Sequence, residues 1–158
     1  LVSKPYRGQV VMFRGQPQEL KHIVFNTASS GIIYLVPRMD GHIYVGSTLE
    51  DVGFDKSTTP EGLEKLKTGA VRLVPSLSRH LIEETWAGLR PGSIDGWPYL
   101  GAVPGLDGVW MATGHYTHGI SLSAVTGQVM AQLINGERPS VDLAPFALNR
   151  DPHPASGL

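Results

Sequence analysis

The sequence predicts an α+β fold resting mainly on antiparallel sheet. Among 158 residues, 19 are Gly and 12 are Pro, which implies many turns and a sheet-rich protein. A hairpin is written out between Gly31 and Thr48: two β-rich runs flank Arg38-Met39-Asp40-Gly41, where Asp-Gly supplies the turn. Two stretches carry helical patterns, one opening near Thr58 and one beyond His118. A chain of this length suits one domain of ordinary size and buries roughly two-thirds of its unfolded surface.

Taken in order, "GQVVMF" (Gly8 to Phe13) reads as a first strand and "HIVFNT" (His22 to Thr27) as a second. Pro37 should close the first hairpin strand, because proline gives no N–H to a ladder. The first helix has both ends marked. Thr58 and Glu61 stand at capping-box spacing, Pro60 suits the first turn, and Pro75 stops the run. Leu63, Leu66, Ala70, Leu73 and Val74 form its apolar face. A short helical turn is expected through Ser78 to Ile82, followed by a strand, "EETWAGLRPG", ending at Arg90-Pro91-Gly92. "SIDGWPYLGAVPGLDG" reads as a dense loop and "VWMATG" (Val109 to Gly114) as a buried-type strand. The last helix follows. Beyond Glu137 the tail is polar and proline-containing, and its last eight residues, from Asp151, are expected to be disordered.

Composition removes several function classes. Thirteen basic residues against fourteen acidic give a net charge of −1, without a basic run. Nucleic acid and anionic membranes need clustered Lys and Arg, so neither is an expected partner. Cys is absent, so there is no disulfide, thiolate metal site or redox thiol. The longest apolar run, "IIYLV", is far short of a membrane span. No secretory leader pattern opens the chain, and the expected address is cytoplasmic. The first residue is Leu rather than Met, so the chain is expected to begin inside a longer one.

Chemistry-bearing residues are then few. His115 and His118 have a spacing that shares a metal when both lie on a helix. Here they precede the helix with no carboxylate beside them, so no metal is expected. No G-x-S-x-G is present to mark a hydrolase nucleophile. Arg90 ends a strand at a Pro-Gly turn, where it can stand in a cavity as a two-pronged receptor for a carboxylate; a surface arginine or structural ion pair reads equally well. Tyr34 lies within the strongest strand, and periodicity alone leaves open whether it packs or faces a cavity. In the last helix, Ala124, Gly127 and Ala131 form a small-residue stripe among Ile120, Val125, Val129, Met130, Leu133 and Ile134. Such a helix wants cover on more than one side.

Three stretches together resemble a known family. "GLRPGSIDGWPYLG" (Gly88 to Gly101), "WMATGHYTHGISLSAVTG" (Trp110 to Gly127) and "IYLVPRMDGHIYVGST" (Ile33 to Thr48) resemble the C-terminal part of FAD-dependent glycine oxidases. These belong to the D-amino-acid oxidase and sarcosine oxidase group; those of thiamine biosynthesis match best. The resemblance runs from about Arg7 to about Phe146. It implies a mixed, largely antiparallel sheet with helices on one side, the substrate domain of that family, plus a strand and helix returning to the FAD domain. On that reading 1–108 is the substrate-domain portion, 109–136 the returning strand and helix, and 137–158 the tail. The family's G-x-G-x-x-G fingerprint is absent, so an N-terminal FAD domain is the implied partner and FAD the implied cofactor. This chain alone is expected neither to retain FAD nor to be active.

Residue by residue, Arg90 matches the arginine that grips the substrate carboxylate, and Tyr34 the tyrosine that helps hold it. Leu49 stands where the family carries a pocket methionine. His115, Tyr116, Thr117, His118, Gly119, Ile120 and Ser121 match the segment running along the flavin. The helix from near Ile120 would aim its N-terminus at the edge of the ring that becomes negative on reduction. Thr117-His118 replaces a common Arg-Asn pair whose arginine closes over substrate, so substrate choice is expected to turn on Thr117-His118. The resemblance implies oxidative deamination of glycine or a similar small amino acid, with hydrogen peroxide as co-product and no protein acid or base required. The product would supply thiazole synthesis for thiamine. Two other readings stay open: an oxidase portion acting on sarcosine or another small amine, or a non-catalytic module that self-associates through apolar surface between Val109 and Ile134.

Overall fold

The computed structural model describes residues 3–26 and 32–152. Seven strands and two helices are present among them: β1 Ser3–Arg14, β2 Val24–Phe25, β3 Tyr34–Pro37, β4 His42–Gly46, α1 Pro60–Leu73, β5 Ile82–Ser93, β6 Tyr99–Ala102, β7 Trp110–Thr113 and α2 Gly119–Ile134. The α+β class is as expected. The chain divides into two compact units, one of Tyr6–Leu89 and one of Leu1–Pro5 with Arg90–Leu158.

The first unit is built on a five-stranded sheet ordered β2-β3-β4-β1-β5. β3 pairs antiparallel with β4, and β4 with β1, setting Leu35 opposite Val45 and Val45 opposite Val11. Alternation along a strand sends these residues to one face. There they meet Phe13, Ile33, Ile43, and Leu66 and Ala70 of α1, in one buried cluster. Side chains one residue out of phase, Tyr34, Tyr44 and Met12 among them, take the opposite face. Tyr44 meets Trp86 of β5 edge to face at 5.6 Å, and Arg38 stands 5.4 Å over the Tyr44 ring.

The hairpin turns where Asp40-Gly41 predicts, with Gly41 at φ +94°. Pro37 is the last residue of β3. The first helix also keeps its predicted limits, and Leu63, Leu73 and Val74 join Leu66 and Ala70 against the core. Its cap differs from the expectation. Thr59, not Thr58, accepts a hydrogen bond from Gly62 N, because the buried Gln9 carboxamide reaches across from β1. Gln9 Oε1 takes the Thr59 N–H at 2.8 Å, and Gln9 Nε2 donates to Thr59 Oγ1 at 3.1 Å. That tie fixes Thr59, not its neighbour, at the helix entry.

Other expectations are corrected. The helical turn after α1 occupies Pro75–Arg79, and Ile82 already begins β5. β2 has two residues rather than six, and Thr27 lies outside the described residues. The first strand is longer than predicted, with twelve residues.

In the second unit, β6 arises inside the stretch read as a loop. It pairs with β7, setting Tyr99 opposite Thr113 and Leu100 opposite Ala112. β7 is half-exposed rather than buried. α2 buries only Val129 and Met130, which join Leu100. The tail beyond Glu137 is not a loose end, since Leu143 and Phe146 pack on that cluster and Leu148 is buried. Asp151 and Pro152 are exposed, and the rest of the stretch expected to be disordered, 153–158, lies outside the described residues.

Candidate functional site

Tyr34 opens β3, directly opposite Gly46 of β4. Its ring lies across the bare face of that glycine: a Cβ placed at Gly46 would stand 2.5 Å from the Tyr34 hydroxyl oxygen and 2.6 Å from Cζ. The hydroxyl takes no hydrogen bond among the described residues. A placed phenol that spends no hydrogen bond on the described residues keeps its O–H available to donate.

Leu49 follows three residues later and is 53% exposed. The backbone on either side of it is pinned. Thr48 Oγ1 accepts the Gln9 N–H at 2.9 Å. Arg7 and Glu50 exchange backbone hydrogen bonds at 2.8 and 3.0 Å. The Arg7 guanidinium, itself buried, pairs with Glu50, with Asp55 at 2.7 Å and with the Ser57 carbonyl at 3.0 Å. Burial works to raise the Glu50 carboxyl, but hydrogen bonds from Thr48, Arg7 and Gln9 outweigh it and hold it below its ordinary range. The Ser57 backbone N–H and hydroxyl, with Arg7, lower Asp55 likewise. Leu49 is thus an exposed apolar side chain on a fixed loop.

Arg90 is half-buried within β5, which continues through Pro91 and Gly92 to Ser93, so the strand does not end at Arg90 in a Pro-Gly turn as expected. Two residues on, Gly92 forms a bridge with His115, which ties its strand to the turn before α2. That turn is compressed. Gly114 has φ +79°, and a Cβ there would meet Ser93 Cβ and Tyr99 Cδ2 at 3.3 Å. Tyr116 has φ +54°, an uncommon setting for a bulky residue and costing on the order of 1–3 kcal/mol. His115 Nε2 is 3.0 Å from Thr126 Oγ1, and burial lowers the pKa of the ring, favouring the neutral form. Tyr116–His118 make one 3-10 turn, and α2 starts at Gly119 with no side chain capping it and no acid in its first turn. Ser121 turns back to the His118 carbonyl at 3.0 Å. Thr117, His118 and Ser121 are exposed, and Ile120 is 94% exposed.

The loop beneath this turn is clasped from the tail. Arg150 forms two charge-assisted bonds to Asp95, at 2.8 and 3.0 Å, with the two side chains 5% and 1% exposed. It also donates to the Trp97, Pro98 and Ala147 carbonyls and stands 4.0 Å over the Tyr99 ring. Sequence reasoning missed this pair and the Arg7 cluster because each joins residues far apart in sequence, and it missed Gly46 because its role depends on the hairpin register that sets it opposite Tyr34. Of the predicted residues, Tyr34 and Leu49 fall in the first unit; Arg90, Thr117 and the rest of 115–121 fall in the second. No group of three or more His, Asp or Glu placed to hold a metal occurs among the described residues.

A family model described as FAD dependent oxidoreductase, DAO, matches residues 1–133. The chain belongs to this family. FAD is therefore the family cofactor. In the segment 115–121, Thr117, His118, Ile120 and Ser121 are exposed, the uncapped helix start favours negative charge, and no carboxylate is present to oppose one, which fits such a cofactor. Among known members, the chain is 43% identical over 147 residues to a glycine oxidase of Pseudomonas putida, covering 93% of this chain and 39% of that one. It is 40% identical over 154 residues to the hydrogen cyanide synthase subunit HcnC of Pseudomonas aeruginosa, covering 97% of this chain and 36% of that one. The crystal structure of glycine oxidase from Geobacillus kaustophilus superposes with a TM-score of 0.87 at 36% identity, covering 96% of this chain and 40% of that one. The chain thus spans about two fifths of the length of such relatives.

Proposed function

We propose that the chain is the C-terminal, substrate-binding part of a flavin-dependent amine oxidase that deaminates glycine or a similar small amino acid. The observation that carries this reading is the Tyr34 hydroxyl, laid against Gly46 and spending no hydrogen bond among the described residues. In this reading Tyr34 donates that hydrogen bond to the substrate carboxylate, and Arg90 supplies the paired charge. Leu49 and Thr117 are the other substrate-binding residues of this reading. His115, Tyr116, Thr117, His118, Gly119, Ile120 and Ser121 run along the cofactor, with burial favouring the neutral form of His115 and the α2 start offering positive potential. The chemistry FAD supplies when bound is acceptance of two electrons from the amine as hydride and their delivery to dioxygen, giving hydrogen peroxide. The protein's share is to hold the α-carbon in place and exclude competing poses; the resulting imine is hydrolysed by water to the oxo acid and ammonium. No side chain here need move a proton in the oxidation.

The division into 1–108, 109–136 and 137–158 belongs to the same proposal, with the middle stretch packing on a dinucleotide-binding portion. So do a role in supplying thiazole synthesis for thiamine and a cytoplasmic site of action. Relatives named bifunctional protein ThiO/ThiG support the biosynthetic role. No helix among the described residues is long and apolar enough to cross a membrane.

A second substrate reading is kept by a specific pair of facts. A glycine oxidase and a hydrogen cyanide synthase subunit are nearly equally similar to this chain, and Thr117-His118 sits on the exposed turn. Glycine, sarcosine and a carboxylate-free amine, each offered to the complete flavoprotein with peroxide and flavin bleaching as readouts, test the proposal. Turnover of glycine with peroxide release is expected. Bleaching only by the carboxylate-free amine would refute it.

A further inference from the structure

We infer that Gly46 is a positioning residue for substrate recognition: its missing side chain sets the height of the Tyr34 hydroxyl above the sheet and so fits the site to a carboxylate. The inference rests on the carboxylate-binding reading of Tyr34. A strand tyrosine ordinarily stands roughly upright on its sheet. Here the three nearest atoms to a Cβ at Gly46 are the Tyr34 hydroxyl oxygen at 2.5 Å, Cζ at 2.6 Å and Cε2 at 3.0 Å. The far end of the ring therefore occupies the space that any other residue at 46 would fill. Tyr34 and Gly46 are cross-strand partners, and Gly46 is also the partner of Val10 on β1, so the glycine lies inside the sheet and cannot drift.

Carbon contacts settle at about 3.5–4.0 Å, so a methyl group at position 46 lifts the hydroxyl by roughly 1 Å. A donor misplaced by about 1 Å costs up to about 100-fold in an oriented reaction. What must move is the tip of a side chain, not backbone, so the fold is expected to survive the change.

The test uses the complete flavoprotein carrying Gly46→Ala, Tyr34→Phe, and both. Expected is a rise in the amino-acid KM of roughly tenfold or more for Gly46→Ala, with a matching loss of affinity for acetate as a competitive probe. The KM of a carboxylate-free amine should not change. Tyr34→Phe should weaken carboxylates as well, and adding Gly46→Ala to it should cost little more, because the group it displaces is gone. Full additivity, or equal losses for the carboxylate-free amine, overturns the inference. If Tyr34→Phe weakens carboxylates and Gly46→Ala does not, the inference fails while the function stands. If Tyr34→Phe itself changes nothing, the reading of Tyr34 fails and takes the inference with it. Should Gly46→Ala not fold, Tyr34→Ala is compared with Tyr34→Ala/Gly46→Ala. Equal melting temperatures support the steric assignment, and an unfolded double variant overturns it.

Discussion

Arg150 shows how one side chain outside the matched family region supports the candidate turn. Its guanidinium and the Asp95 carboxylate are both withdrawn from water. Removing one partner of such a pair leaves an uncompensated buried charge, at about 3–5 kcal/mol. Arg150→Ala should therefore lower the urea midpoint sharply, whereas Arg150→Met with Asp95→Leu should recover much of the loss. Asp95 also accepts from Ser93 Oγ and Trp97 N, so the damage should spread to the loop against which Gly114 is packed. His42 gives a pH signature in the first unit. Hydrogen bonds to Asp40 and then to Glu83 raise its pKa, against a smaller opposing effect of burial; Arg14 stands 3.5 Å from Glu83 on the same edge. The folded state binds this proton more tightly than the unfolded one. Its stabilising contribution is then complete below about pH 6.5 and lost as pH rises through the raised value. The melting-temperature gap between wild type and His42→Gln should be widest near the acid end of the range from pH 5.5 to 8.5 and should close toward the alkaline end.

At the scale of elements, what the sequence discloses is what local chemistry decides. Asp40-Gly41 announces its hairpin because a positive φ is needed there, and Gly41 has one. Pro60 and Pro75 bracket α1 because proline suits a helix start and cannot continue a helix. The cap was harder to read, since Thr58 and Thr59 both qualify until Gln9 arrives from β1. Thr59→Ala should cost about 1 kcal/mol or more in equilibrium unfolding, and Thr58→Ala much less. β6 stayed hidden for a related reason: Tyr99 and Leu100 are both buried, so no alternation marks the strand, and its pairing with β7 crosses a turn-rich stretch. Tyr34 could be named from the resemblance, but its posture could not, because that depends on the residue opposite it on β4. In α2 the apolar character was legible, and the structure leaves Ile120, Val125 and Ile134 exposed, with Ala124, Gly127 and Ala131 also exposed. Ile120→Asp in the complete flavoprotein should reduce flavin retention through gel filtration, with little change in the unfolding of the first unit.

For the whole molecule, membership of the FAD-dependent oxidoreductase family is carried by a match over residues 1–133 and by relatives of which this chain spans about two fifths. Each unit taken by itself supports the proposed reaction, the first through the Tyr34 face of its sheet and the second through the exposed start of α2. The central claim of the proposal is that Arg90 receives the carboxylate of a small amino acid. It is tested most directly by steady-state peroxide formation from glycine in the complete flavoprotein, comparing wild type with Arg90→Met at equal flavin content. Losing the charged partner of a desolvated carboxylate costs about 2–5 kcal/mol, so kcat/KM should fall by roughly 100-fold, mostly through KM, with the flavin spectrum retained. An Arg90→Met enzyme that turns over glycine with unchanged kcat/KM would contradict the account.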